Sequence, residues 1–265
     1  MEERRSKISV VILTSNSEKT LRQCLEGVRW ADEIVVVDDY SRDDTVNICR
    51  QYTQNILQNK FEGFAEQKRF AFSKATKEWI LSIDADEMVT MGLQNEISRV
   101  LQDDPGTIDG YRIPRKNFFL DKWIRYCGWY PDYQLRLFRN GLWKMKEVRV
   151  HEYVEIEGQV GFIKEPLLHY SYSTVNEYVA RMNKYTSLAA QQMVDEEIKV
   201  DTKNMNAIAA SKGFETFWKM YIRQKGFKDG MHGLILSIFS AVYKVMVYVK
   251  YWEMVEKDVD FLCTR

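Results

Sequence analysis

Proline is scarce in these 265 residues, four in all, and no tract is low in complexity or repeated, which excludes a linker-rich or repeat-built chain and leaves a packed one. Cysteine is equally scarce. Cys24, Cys49, Cys127 and Cys263 are scattered, with no CxxC pair and no His/Cys spacing suited to zinc, so the thiols read as reduced core filler in a cytoplasmic protein. Net charge is missing too: 38 Lys and Arg offset 38 Asp and Glu, which removes the cationic field by which a nucleic-acid binder collects phosphates. Neither GxGxxG nor GxxxxGK[ST] occurs, so a dinucleotide enzyme or a P-loop NTPase does not fit. The apolar stretch after the charged segment Met1 to Lys7 is too short for the h-region of a secretory signal. Lys244 and Lys250 break up the apolar tail that begins at Leu234, so a clean spanning segment of about 18–20 residues is lacking.

What is present is 45% hydrophobic residue content, enough for one large domain or for a domain with an appendage. Residues 8–13 are nearly continuously apolar and β-branched, the pattern of a strand covered on both faces of a parallel sheet. Capping residues Thr14 to Ser17 and a helix over Glu18–Arg29 follow. The alternation continues with strand Glu33–Asp38, a helix carrying Val46 and Ile48, a short strand at Ile56-Leu57, a helix over Phe64–Ala75 and strand Trp79–Ile83. An α/β fold with a mostly parallel sheet is expected. After a helix over Leu93–Leu101, strand segments rich in aromatics and arginine run over Gly110–Phe119, Gln134–Arg139, Tyr153–Ile156 and Pro166–Tyr170. Helices then cover 174–192 and 207–256, joined by a charged connector.

In such sheets ligands bind beyond the carboxyl ends of the strands, where three polar clusters fall: Thr14–Asn16, Asp38–Ser41 and Asp84–Glu87. Asp84 and Asp86, two apart, project to one side and offer hard oxygen donors of the kind that bind Mg²⁺ or Mn²⁺ together with substrate phosphates. The plain alternative is a turn cap and a solvated carboxylate. Asp38 and Asp39 are placed to accept from ribose hydroxyls or a base N–H, against an alternative of helix-capping decoration.

These stretches resemble the family 2 glycosyltransferases with the GT-A fold, and among them the lipopolysaccharide core β-1,4-glucosyltransferases. The likeness is carried by Val10–Asn16 with Glu18 and Leu21, Val35–Asp39 with Ser41, Asp43 and Thr45, Gln67–Arg69, Trp79–Glu87, Pro131–Arg139, Val150-His-Glu152 and Gly226-Phe-Lys-Asp-Gly230. It implies a catalytic domain over 1–173, with a nucleotide-sugar half (1–103) and an acceptor half (104–173), and a helical region over 174–265. It also implies a UDP-sugar donor held by Thr14, Asn16, Glu18 and Asp39 at the uridine and ribose, and by Asp84 and Asp86 at the metal and diphosphate. Asn16 follows Thr-Ser here instead of the commoner Pro-Thr-Tyr.

Displacing a nucleoside diphosphate from an anomeric carbon by inversion needs a Lewis acid and a base. Glu152 is the first choice of base and Asp132 the second; each is otherwise an ordinary loop salt bridge. His169 is a candidate third metal ligand, or else a buried structural histidine. Arg136 and Arg139 both suit the diphosphate, with Gln67 and Arg69 on a helix beside the donor. Trp123, Trp129, Tyr130 and Tyr133 form an aromatic loop suited to sugar faces, or a small satellite core. The tail suits an interfacial helix on the anionic inner face of the plasma membrane, which would bring the enzyme to a glycan or glycolipid acceptor. A core helix packed on the catalytic domain or on a homodimer partner is the alternative. Two other functions stay open: a non-catalytic carbohydrate-binding or scaffolding protein, and a sugar-phosphate nucleotidyltransferase, which lacks support because residues 14–20 contain no glycine.

Overall fold

The computed structural model describes residues 6–103, 106–146, 153–198 and 200–263. The chain divides into two compact units: residues up to Asn117 with Pro131–Ser171, and Phe118–Tyr130 with the chain from Tyr172 onward.

The first unit is built on a mixed sheet. Its early strands, β1 (Ile8–Thr14), β2 (Glu33–Asp38), β3 (Ile56–Gln58) and β4 (Trp79–Asp84), run parallel in the order β3-β2-β1-β4. They alternate with α1 (Leu21–Glu26), α2 (Thr45–Cys49), α3 (Phe64–Phe72) and, after β5 (Glu87–Met88), α4 (Met91–Gln102). The sheet continues antiparallel from β4 through β8 (Asp132–Arg139) to β6 (Gly110–Phe119), then β12 (Leu167–Tyr172) and β5. The short strand β7 (Lys122–Trp123) pairs with the end of β6, β9 (Trp143–Lys146) pairs with β10 (Tyr153–Ile156), and β11 (Val160–Phe162) flanks β6.

Burial explains the apolar runs. Val10 and Ile12 face a core shared with Leu21, Leu25, Leu93 and Ile97, while Val11 faces a second core with Val35, Val37, Ala71 and Phe72. Successive residues of β1 thus lie in opposite cores, so no polar face is left to show an alternation. Helix α1 is shorter than the expected Glu18–Arg29 because the amides before it are taken: Asn16 N donates to Ser41 Oγ (2.8 Å), Ser17 N to Thr45 Oγ1 (2.7 Å) and Glu18 N to Asp43 Oδ2 (3.2 Å). Side chains from the second loop replace the helical acceptors there.

In the second unit α5 (Val175–Asp195) opens on a capping box, with Glu177 N donating to Thr174 Oγ1 and Ser173 N to Glu177 Oε2, both at 3.1 Å. The expected single helical tail is broken. α6 (Met205–Phe217) runs into a π-helical turn over Trp218–Arg223 and a 3₁₀ turn over Gly226–Asp229 before α7 (Met231–Cys263) begins. Lys225 at φ 57° and Gly230 at φ 64° turn the chain, so α7 packs against α6 and α5. Gly233 is obligatory in this turn, since a Cβ would lie 1.9 Å from the Gly226 carbonyl oxygen.

The tail expectation needs one correction. Within Met231–Glu256, α7 holds an 18-residue window of mean hydropathy 1.6 and is long and apolar enough, by length and composition, to cross a membrane. Lys250 does not break the apolar face: its ammonium lies 2.7–2.8 Å from Asn183 O, Asn183 Oδ1, Thr186 Oγ1 and Ser187 Oγ of α5, so its charge is met inside the helical unit.

Ile12, fully buried in the central strand, is a test of this architecture: Ile12→Ala should lose about 2–5 kcal/mol in urea unfolding followed by far-UV circular dichroism.

Candidate functional site

The first part of the site lies where β1 and β2 end. Asp38 is fully buried, and its carboxylate accepts from Thr14 Oγ1 (3.1 Å), Ser41 N (2.9 Å) and Ser41 Oγ. Asp39 accepts from Phe61 N (3.0 Å) and Ser15 Oγ (3.5 Å). Asn16 adopts φ 47°, a left-handed geometry that asparagine tolerates better than most residues, and its Oδ1 accepts from Arg42 N (2.9 Å). Glu18 accepts from Asp44 N (3.1 Å). Thr14, Asn16, Glu18, Asp38 and Asp39 are therefore gathered in one pair of interlocked loops. Each carboxylate has about four acceptor positions, so the bonds that lock the loops leave Asp39 with capacity for hydroxyl donors. Gln67 is buried and bonded at both ends to Asn59, accepting from its side chain (2.8 Å) and donating to its carbonyl (3.1 Å). Arg69 pairs with Glu66 one turn earlier.

The second part is a chain of charged and polar contacts at the end of β4. Arg136 Nη2 donates to Asp84 Oδ2 (2.7 Å) and to Glu87 Oε1 (2.5 Å). Glu87, 1% exposed, also accepts from the Asp84 amide (2.9 Å) and meets Arg115 at 3.4 Å. Arg115 holds Asp132 through Nε (2.9 Å) and Nη2 (2.6 Å). Asn117 donates to Asp132 (3.2 Å) and accepts from His169 Nδ1 (2.7 Å). His169 Nε2 then faces Asp86 Oδ1 at 3.6 Å.

Strand periodicity accounts for this assembly. Asp132 and Gln134 share one face of β8, Arg115 and Asn117 share one face of β6, the register places Arg115 opposite Asp132, and a register irregularity at Tyr111/Arg112 leaves Arg136 as the extra residue between Leu135 and Leu137. His169 pairs with Glu87 across β12 and β5. Arg139 lies at the far end of β8, opposite Trp79 of β4. It pairs with Asp109 (3.6 Å) over the Trp79 ring, so it does not join Arg136 in the crevice as its sequence neighbourhood suggested.

Burial raises the Glu87 carboxyl above its ordinary range, with Arg136 and Arg115 pulling the other way. Burial acts in the same sense on Asp84 and Asp132, but there it is outweighed. Arg136 holds Asp84 well below the usual carboxylate range, with help from Lys68. Arg115, Gln134 and Asn117 hold Asp132 down.

Among the described residues no group of three or more His, Cys, Asp and Glu side chains forms a ready metal cage. The donor chemistry of this cluster nonetheless fits a hard divalent cation. Three carboxylates (Asp84, Glu87, Asp132) face two guanidinium groups within the network, and a fourth, Asp86, faces His169. His169 Nε2 and the Asp86 carboxylate face one another at 3.6 Å, an imidazole nitrogen and a hard oxygen of the kinds that ligate such an ion. Adjacent ligand atoms at ordinary bond lengths to such an ion stand about 3 Å apart, so small side-chain movements suffice. Asp84 is 37% exposed at its side chain despite the Arg136 pair.

Glu152 lies outside the described residues. Tyr133 is exposed on β8, edge-on to Phe162 at 5.2 Å. Trp123, Trp129 and Tyr130 belong to the second unit, where Trp123 stands edge-on to Tyr130 (5.4 Å) and Trp129 edge-on to Phe119 (6.4 Å). Arg115 and Asn117 were not singled out from sequence. Their signal was present as polar residues two apart within an otherwise buried strand.

A sequence model described as glycosyl transferase family 2 matches residues 9–151, more than half of the chain. A lipopolysaccharide core biosynthesis glycosyltransferase, LpsC, of Rhizobium meliloti is 27% identical across 93% of this chain and 92% of its own length. An uncharacterized glycosyltransferase of Rickettsia typhi is 28% identical across 97% and 91%. Among solved structures, the mannosyltransferase PcManGT from Pyrobaculum calidifontis, in complex with GDP-Man and Mn²⁺, superposes with a TM-score of 0.53 at 14% identity, covering 94% of this chain and 87% of that one. The shared fold is GT-A.

Two outcomes follow from the charge network. Arg136→Met leaves Asp84 and Glu87 side by side without a cation and should cost about 3–5 kcal/mol in chemical denaturation. Asp132 has a depressed folded-state pKa, so its contribution is present above the unfolded value of about 3.9 and lost as pH falls through the folded value. Unfolding free energy measured from pH 6 to pH 3 should therefore fall less steeply in Asp132→Asn than in the parent.

Proposed function

We infer, since this chain belongs to glycosyl transferase family 2, that it is a metal-dependent, inverting hexosyltransferase, moving glucose from a UDP-sugar to a glycan or glycolipid in lipopolysaccharide core or cell-surface polysaccharide synthesis. The observation that carries the reading is the Asp86–His169 pair facing across 3.6 Å beside Asp84. Support for the metal comes from the chemistry of these donors and from the Mn²⁺ held by the mannosyltransferase of like fold. The glucose and lipopolysaccharide assignments draw on the sequence likeness and on the name of the Rhizobium relative.

In this reading Thr14, Asn16, Glu18, Asp38 and Asp39 hold the uridine and ribose, with Gln67 and Arg69 supporting the donor side. Asp84, Asp86 and His169 hold Mg²⁺ or Mn²⁺, which supplies Lewis-acid neutralisation of the departing diphosphate. Arg136 keeps Asp84 ionised and oriented at the diphosphate end. Glu152 takes the acceptor proton as the hydroxyl oxygen attacks the anomeric carbon and the bond to UDP breaks. Asp132 is the poorer base, because a carboxylate held below its ordinary range has little affinity for a proton; its place is to bind acceptor hydroxyls.

Peripheral attachment to an anionic inner leaflet is part of the same proposal. Ile238, Val242, Val249 and Trp252 are exposed along α7, and Phe214, Trp218 and Ile222 are exposed before the break, interleaved with Lys219, Arg223 and Lys225.

Thermal unfolding of the parent and of Asp86→Ala, each with UDP alone and with UDP plus Mn²⁺, tests the donor site. Saturation at about 100 Kd should stabilise the parent by about 2.7 kcal/mol only when metal is present, and the variant should lose that gain. No response to any nucleotide would favour a carbohydrate-binding scaffold. Flotation on phosphatidylglycerol vesicles tests attachment: Trp218→Ser/Trp252→Ser should float less than the parent, and equal flotation would remove this part of the reading.

A further inference from the structure

The segment Gly226-Phe-Lys-Asp-Gly230 is not used by the transfer reading above, and it builds a defined site within the second unit. Asp229 is 3% exposed. Its carboxylate accepts from Tyr126 N (2.8 Å) and Arg125 N (3.4 Å), and its carbonyl accepts from Lys122 Nζ (2.7 Å). A buried charge satisfied by backbone amides fixes the segment 122–126 against the turn. Cys127 N adds a bond to Gln224 O (3.2 Å), and the glycine contact at Gly233 lets the turn close this tightly.

The clamp shapes a cavity of about 570 Å³ lined by Lys122, Trp123, Arg125, Tyr126, Lys228 and Asp229. Its cations are arranged over its rings: the Arg125 guanidinium stands 4.3 Å from the Trp123 ring centre, and the Lys228 ammonium 5.5 Å from that of Tyr126. No carboxylate among the described residues pairs with Arg125 or Lys228, and the only acid in the lining spends its carboxylate on amides. The wall is therefore cationic, with a cation over one face of each of two amphipathic rings.

We propose that this cavity binds a saccharide bearing a phosphoryl group, with the phosphate on Arg125, Lys228 and Lys122 and the apolar face of the sugar ring on Trp123 and Tyr126. Guanidinium and ammonium groups match phosphate oxygens, rings of this kind take the apolar face of a pyranose, and the volume lies in the range of small-ligand sites. A bilayer is a poorer match, since Trp123 and Tyr126 are half-buried in a concave wall and do not project from it. As a statement of ligand class this stands alone; as an identification of the acceptor it rests on the transferase reading.

The test is calorimetric titration of the full chain, without nucleotide, using mannose 6-phosphate, mannose and inorganic phosphate as separate probes. Mannose 6-phosphate should bind at least tenfold more tightly than either component. Arg125→Gln/Lys228→Gln, at two exposed positions, should weaken it tenfold or more while the UDP and Mn²⁺ thermal shift stays unchanged, and Lys203→Gln should match the parent. Mannose 6-phosphate binding no tighter than phosphate, binding unaltered in the double variant, or a double variant whose sole defect is release from phosphatidylglycerol vesicles would each overturn the proposal. Failure of the transferase reading would appear separately, as a parent unresponsive to UDP and Mn²⁺.

Discussion

Arg136 is 5% exposed and its single Nη2 reaches both Asp84 and Glu87. Two carboxylates that share one donor repel each other, and either would be driven toward protonation. The guanidinium removes that pressure from Asp84 and leaves it ionised, while Glu87, the more deeply buried of the two, remains raised. Glu87 in turn anchors the turn after β4 through the Asp84 amide and sits opposite His169 in the ladder between β5 and β12. The placement of the late histidine is thus tied, through one buried cation, to the placement of the early aspartates, although 82 or more residues of chain separate them.

The same logic extends to the second arginine. Arg115 bridges Glu87 and Asp132, and Asn117 passes the constraint to His169 by turning its oxygen toward Nδ1 and its amide nitrogen toward Asp132. Every member orients the next, so the network behaves as one unit and single truncations expose neighbours to uncompensated burial. Its excess of carboxylates over guanidinium groups is then not a defect of packing. The network gathers hard oxygen donors and one imidazole nitrogen at the end of β4, donor types that suit divalent cations.

Much of the first half of the chain is legible in sequence because strands buried on both faces read as uninterrupted apolar runs, and Val10–Leu13, Val35–Val37 and Ile80–Ile83 do so. The Asp84-Ala85-Asp86 spacing is legible for the same reason, standing where such a run stops. Arg115 and Asn117 were hidden because a strand that mixes Ile113, Pro114 and Lys116 with them shows no clear face until its partner β8 fixes the register. Helix α1 came out short because its first acceptors are side chains some 25 to 28 residues away, a competition that local propensity cannot register. The break in the tail depends on a backbone contact at Gly233, which one glycine among thirteen does not announce. Lys250 was misleading in the opposite sense: a lysine in an apolar helix looks like an interruption, but four oxygens on α5 absorb it.

Zero net charge conceals two opposed local fields. The network at the end of β4 gathers carboxylates, whereas the cavity beside Asp229 gathers Lys122, Arg125 and Lys228. At physiological ionic strength charges are screened beyond about 8 Å, so a ligand at either site responds to the side chains around it and hardly at all to the total. A carboxylate-rich cluster and a cation-lined cavity are therefore compatible in a chain whose charges sum to nothing. What decides each partner is the arrangement within one screening length, which is set by strand register in the first unit and by the buried Asp229 clamp in the second.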